Sequence, residues 1–339
     1  MTSQEFVPDV FNYTLLNRLC QAYGPSGSEE EVAAIIKAEV VPYCDKLVSD
    51  SMGNLIASRN GSGKKVMVAA HMDEIALMVT YIDESGFLRF IVIGEIEARY
   101  LPYRRVILQN GKMGTIGLER LEKSTEIDLS KLYIDIGASS RAEAEQVVGI
   151  GDALILEGAY VEVGKRIMSK ALDGRIGCFV AIEALKRTKS TNELAFAFTV
   201  QEEVAMRGAR VAAYAISPDL ALVVDVTRTG DTPGAARMEV SLGAGVGIKA
   251  FDHSLVTPPN IKRWMSATAD RYSIPCQLEV LEQGGTDAGV IQLTKGGIPS
   301  GVLSIPARQV HTPTEVVDKQ DMEAAVTLLT KLLEENEDL

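Results

Sequence analysis

Apolar positions along the chain change their spacing twice. Up to about residue 74 they come at helical and then strand-like periods, from 75 to 163 as short runs cut by glycine, and from 164 onward in alternating helical and strand-like blocks. In the first block Ser28-Glu29-Glu30-Glu31 has the spacing of a capping box, ahead of Val32, Ile35, Ile36 and Val40, which predicts a helix start. Strands are expected over 54–58 and 65–70, joined as a hairpin by the turn-rich Asn60-Gly61-Ser62-Gly63. The stretch Gly61-Ser62-Gly63-Lys64-Lys65 is superficially a phosphate loop. It lacks the glycine spacing and the hydroxyl residue after lysine, and no helix follows it, so no phosphate role is assigned.

The middle block, with runs such as Phe87-Leu88-Arg89-Phe90 and Leu132-Tyr133-Ile134-Asp135, reads as a small β-rich unit. Beyond it the pattern predicts a helix over 174–186, a buried strand over 194–200, a helix over 207–216 and a strand over 220–226. A helix over 260–272, a strand over 277–281, a helix from Asp287, a strand over 299–305 and an amphipathic helix after Val317 complete it. The expected architecture is α/β: a mixed sheet with helices on both faces, formed by 1–74 and 164–339 and interrupted by a β-rich domain at 75–163. No internal repeat or low-complexity tract is present.

Composition narrows the function. The 339 residues carry a formal net charge of −12 and no clustered Lys/Arg, which argues against a nucleic-acid partner. No apolar run reaches the roughly 20 residues that span a bilayer, so no membrane role is expected. The N-terminus starts polar and slightly acidic, unlike a secretory leader. Cys20, Cys44, Cys178 and Cys276 are far apart with no CxxC pair, as expected of free thiols in a reducing compartment; the cytoplasm is the expected location.

Candidate chemistry lies where acids and histidines meet strand ends. His71 closes the predicted strand 65–70, Glu202 and Glu203 follow 194–200, and Asp225 lies near the end of 220–226. Asp173 opens a helix, and His311 follows the strand ending near Ile305. Open α/β sheets gather their sites outside the carboxyl ends of strands, so these residues are expected to converge. Two divalent ions about 3.5–4 Å apart polarise a carbonyl and hold a bridging hydroxide. His71, Asp173 and Asp225 are assigned to one ion, and Asp173, Glu203 and His311 to the other, with Asp173 bridging. Imidazole with carboxylate suits zinc first, with cobalt or manganese as alternatives. Glu202 is left free as general base, and Asp73 is placed to accept the other imidazole proton of His71. His253, outside this set, is read as structural or surface.

These residues sit in segments that resemble the M42 family of metallo-aminopeptidases, the glutamyl and leucyl aminopeptidases related to the tetrahedral TET peptidases. The segments are Gly24-Pro25-Ser26-Gly27, Ala70-His71-Met72-Asp73-Glu74, Ala171-Leu172-Asp173-Gly174-Arg175, Gln201-Glu202-Glu203, Val223-Val224-Asp225-Val226-Thr227, Gly284-Gly285-Thr286-Asp287 and Val310-His311-Thr312-Pro313-Thr314-Glu315. The resemblance implies the same five ligands, Glu202 as base, Asp73 behind His71, and a β-rich insert that mediates assembly. It also implies short peptide substrates and a homo-oligomer, commonly a twelve-subunit tetrahedral particle. Two departures stand out: relatives often carry Asp at Gly174 and Gly at Ala205. The alternatives are another di-metal amide hydrolase, either a deacylase or a carboxypeptidase, then an endoglucanase, for which the histidines would be superfluous, and last a shell subunit whose ions serve only assembly.

Overall fold

The structure is a computed structural model that describes residues 11–120 and 127–335; the leader-free reading of the first ten residues lies outside them. The chain opens with helices α1 (Thr14–Gln21) and α2 (Glu30–Val40). Strands β1 (Lys46–Ser49), β2 (Leu55–Arg59) and β3 (Lys65–His71) follow. Next come β4 (Ala76–Ile82), β5 (Leu88–Ile93), β6 (Arg105–Leu108), β7 (Met113–Leu118), β8 (Leu132–Asp135), the short α3 (Arg141–Ala144) and β9 (Ala153–Leu156). After β10 (Val161–Val163) and β11 (Arg166–Ser169), helices and strands alternate. They are α4 (Leu172–Arg187), β12 (Glu193–Thr199), α5 (Arg207–Ile216), β13 (Leu220–Thr227), β14 (Val246–Phe251), α6 (Pro259–Arg271) and β15 (Cys276–Val280). The last are α7 (Ala288–Ile291), β16 (Ser300–Arg308), β17 (Glu315–Asp318) and α8 (Lys319–Glu334).

Among the described residues, eleven strands form one mixed sheet, ordered β1-β2-β12-β3-β13-β16-β17-β11-β10, with β14 on β16 and β15 on β14. Its centre, β12, β3, β13 and β16, is parallel. Period-2 alternation sends the two faces into different cores. Val66, Val68, Phe196, Phe198, Leu222 and Val224 pack with α1, α2, α4, α6 and α8, whereas Met67, Ala69, Ala197, Ala221 and Val223 pack with α5 and α7. The result is a mixed α/β fold with helices on both faces. Strands β4 to β9 close separately into a six-stranded barrel around Leu77, Val79, Phe90, Val106, Ile116 and Leu154. β10, on the β-rich side of the expected division at residue 163, instead pairs with β11 in the large sheet. Among the described residues no helix is long and apolar enough to cross a membrane.

Two local expectations are corrected. β2 and β3 are not a hairpin, because β12 lies between them, antiparallel to one and parallel to the other. The Gly61–Gly63 turn instead packs on the segment entering β12: the Ser62 and Gly63 amides donate to the Thr191 carbonyl at 2.9 and 3.1 Å, and a Cβ on Gly61 would lie 2.1 Å from the Asn192 carbonyl oxygen. The Ser28 capping box does not form either. Glu29 accepts from the Gly27 and Gln201 amides at 2.8 and 3.1 Å, and Glu31 turns back to the Tyr23 amide, so these acids are taken up by the preceding 23–27 loop and by Gln201 instead of a cap.

Candidate active site and metal centre

The parallel strands carry the candidate residues to one end of the sheet. His71 ends β3 opposite Thr199 of β12, so Glu202 and Glu203 emerge beside it; Asp225 sits near the end of β13, and Asp173 in the first turn of α4. His311 stands in the loop between β16 and β17 with φ +65°. His71 Nε2 lies 3.1 Å from Asp173 Oδ1 and 3.6 Å from Asp225 Oδ1, while His311 Nε2 lies 3.3 Å from Asp173 Oδ2 and 3.6 Å from Glu203 Oε2. In each of the two groups, His71/Asp173/Asp225 and Asp173/Glu203/His311, the candidate donor atoms all fall within 4.8 Å of one another. Each oxygen of Asp173 therefore faces a different imidazole.

The charge balance fits cations there. Burial, joined by neighbouring carboxylates, raises the proton affinity of Glu202, Glu203 and Asp225. The imidazoles move the other way from what burial alone would do: Asp173, Asp225 and Asp73 raise His71 against it, and Asp173 raises His311. Asp173, despite burial, is held low by the two histidines. Such a cluster of buried carboxylates around two imidazoles, excess negative charge with nitrogen and oxygen donors, has the chemistry of a divalent-ion site.

Asp73 does more than the sequence reading gave it. Its Oδ1 faces His71 Nδ1 at 3.4 Å, outside hydrogen-bond geometry. The same carboxylate accepts from the backbone amides of Glu202 and Glu203 at 3.0 and 3.2 Å and from Ser26 Oγ at 2.6 Å. It thus fixes the turn that presents the Glu pair. Glu202 belongs to neither donor group and lines a cleft of about 250 Å³ with Asp173, Glu203, Asp225, His311, Thr227 and the 283–285 loop. His253 lies on the surface, its amide donating to the Gly284 carbonyl.

Several supporting residues escaped the sequence reading. Glu315 accepts from the Asp173 and His311 amides at 3.0 and 2.9 Å, tying the start of α4 to the β16–β17 loop, and burial pushes its carboxyl up to about 8. Asp287 accepts from Thr199 Oγ1 at 2.6 Å, and burial raises it to about 7. Buried Glu74 pairs with Lys170 and Arg175, whose guanidinium also donates to the Gly24 carbonyl and so binds the 24–27 segment to the site. The acids Glu315 and Glu74 close the His311 and His71 motifs, which was the available signal. The departures are also visible: a Cβ on Gly174 would meet the His71 ring at 2.2 Å, and Ala205 holds φ +80°.

The sequence profile of the family described as M42 glutamyl aminopeptidase matches residues 53–328. A protein of Acetivibrio thermocellus provisionally designated an aminopeptidase is 48% identical over 95% of this chain and 98% of its own length. The solved aminopeptidase APDkam598 of Desulfurococcus kamchatkensis is 39% identical, with a TM-score of 0.91, covering 95% of this chain and 94% of that one. The TET1 peptidase of Pyrococcus horikoshii, described as assembling into a tetrahedron or a large octahedral shell, is 32% identical with a TM-score of 0.85, over 96% and 99% of the two chains. With the family profile matched over most of the chain, and relatives of this identity and fold aligned over nearly its whole length, this chain belongs to the M42 family of aminopeptidases.

Proposed function

We propose that this aminopeptidase removes N-terminal residues from short peptides at a two-ion centre, with Glu202 as general base. One ion would be held by His71, Asp173 and Asp225 and the other by Asp173, Glu203 and His311; zinc is the first choice, with cobalt or manganese as alternatives. The observation that carries this reading is Asp173, whose two oxygens face the two imidazoles separately at 3.1 and 3.3 Å. When bound, the ions would polarise the scissile carbonyl and acidify water. Glu202 lies in the same cleft with its carboxylate uncommitted, free to take a proton from the attacking water and pass it to the leaving amine. Its proton affinity, raised by burial, suits a group that must both accept and release. Asp73, on the Glu202 and Glu203 amides, keeps base and ligand in fixed relation, and Glu315 does the same for Asp173 and His311.

The reading extends to assembly and location. The barrel strands β4 to β9, within the 75–163 span, serve as an inserted assembly domain, the chain forms a homo-oligomer of the tetrahedral twelve-subunit kind, and it works in the cytoplasm. Support comes from the separately closed barrel and from the assembling TET1 relative.

The test is cleavage of a mixed peptide library by metal-loaded protein, with matched free and N-acetylated peptides. Release of single N-terminal residues from free peptides, abolished by chelator and restored by zinc, cobalt or manganese, is expected. Cleavage of acetylated peptides, or activity indifferent to chelation, would overturn it in favour of a deacylase or a metal-independent reaction.

A further inference from the structure

Behind Asp225 lies a second buried charge cluster that the chemistry above does not use. Lys249 on β14, Glu279 on β15 and Asp252 just past β14 are all fully buried. The Lys249 ammonium sits 2.8 Å from Glu279 Oε1 and 3.4 Å from Asp252 Oδ2, so one cation is shared by two carboxylates. Desolvating three charges makes a poor source of stability, since apolar residues of similar volume usually serve a core as well or better. What the cluster supplies is a set of connections.

Each arm ends at the cleft. Glu279 accepts from Thr227 Oγ1 at 2.6 Å; Thr227 lines the cleft two residues after Asp225. Asp252 Oδ1 accepts from the Ser254 amide and hydroxyl and from the Leu255 amide at 2.7, 2.8 and 2.8 Å, forming a tight turn. Ser254 in turn supports the opposite wall: its Oγ accepts from the Thr286 amide, its carbonyl accepts from Gln292 Nε2, and Cβ atoms on Gly285 and Gly289 would meet it at 2.9 and 2.5 Å. Gly284 and Gly285 line the cleft facing the metal-ligand candidates.

We propose that Lys249 is a positioning residue for substrate: its ammonium, shared by Glu279 and Asp252, sets the distance between the Asp225–Thr227 strand end and the 284–289 wall, and so governs how a peptide seats. This rests on the cleft being the peptide site of the aminopeptidase. The group is remote from the reacting atoms, and its removal should weaken substrate fit while leaving ion binding and the proton relay in place.

Lys249→Met and Asp252→Asn test it. Asparagine keeps the Oδ1 acceptor of the turn but drops the charge facing Lys249, so it separates the wall from folding should Lys249→Met not fold. Both are expected to keep wild-type metal stoichiometry, to raise KM for the best-cleaved peptide about tenfold, and to change kcat by less than about threefold. Amide exchange over 284–289 should quicken in both, with β3 unchanged, a readout independent of turnover. An unchanged KM and unchanged exchange in folded variants, or equal losses in kcat and metal affinity, would overturn the proposal. A wild-type chain without aminopeptidase turnover would instead refute the reading of the cleft, and the exchange measurement would still decide the role of Lys249.

Discussion

Asp73→Asn probes the joint that the structure adds to the sequence reading. The carboxylate is fully buried and meets only donors: Ser26 Oγ at 2.6 Å, the Glu202 and Glu203 amides at 3.0 and 3.2 Å, and the His71 ring at 3.4 Å. Asparagine has one oxygen. Its least costly orientation turns the NH2 toward Ser26, whose hydroxyl can reverse and accept, and toward the Glu203 amide, which cannot. One charge-assisted bond of about 1.5–3 kcal/mol is lost there, and the retained bonds weaken with the charge. A total near 3 kcal/mol corresponds to about a hundredfold in rate or affinity. Calorimetric metal titration and kcat at saturating metal are expected to show that loss divided between the Glu203-containing site and turnover, because Glu202 and Glu203 move together. Were Asp73 only a partner of His71, the loss would be confined to the His71 ion and kcat in saturating metal would recover. Changes below about threefold in both measurements would refute the reasoning altogether.

Glu202→Gln should retain both ions by titration while kcat falls by about 10²–10⁴, and unchanged turnover would remove Glu202 as base. Ala205→Gly relieves a left-handed backbone position at φ +80°; set against the extra chain entropy of glycine, a gain of about 0.5–1 kcal/mol is expected, and a lower midpoint in calorimetry would contradict it. The metal-free chain should lose stability as pH rises from 6 to 9. Glu315, lifted to about 8, Glu202, Glu203 and Asp225, also lifted, and His71 and His311, raised as well, all favour the folded state when protonated, and that contribution disappears as pH climbs through their folded values. Asp173, held low, works in the opposite sense only in strong acid. Thermal unfolding across that range, flatter when divalent ions are added, is the check.

Most of the candidate acids and histidines were legible because they stand at or just past the ends of apolar runs, and β3, β12, β13 and β16 are the most uniformly buried of the described strands. Strand neighbours were not legible. Asn60-Gly61 looks like a hairpin turn locally, and only a segment some 130 residues later decides that β2 and β3 stay apart. The Ser28 box fails partly for that reason: Glu29 is shared between distant Gln201 and nearby Gly27, and Glu31 faces Tyr23 in the loop before the helix. Glu315 opens the four-residue β17 and Asp287 precedes the four-residue α7, elements too short to carry a periodic signal, and Lys249 is a lone charge inside an apolar strand; three-dimensional burial shows what they hold.

The place of β12 between β2 and β3 also dictates when a catalyst can exist during synthesis. His71 is made early, but the strand that brings the Glu pair beside it comes after the entire barrel, and His311 later still. Closing so long a span costs chain entropy that only the finished sheet repays. A ribosome-bound or truncated chain lacking the β16–β17 loop is without His311, and so has only the His71/Asp173/Asp225 donor group complete. On the proposed two-ion reading, the second group closes only when nearly the whole chain has been made, so nascent copies would have no complete centre with which to cut peptides.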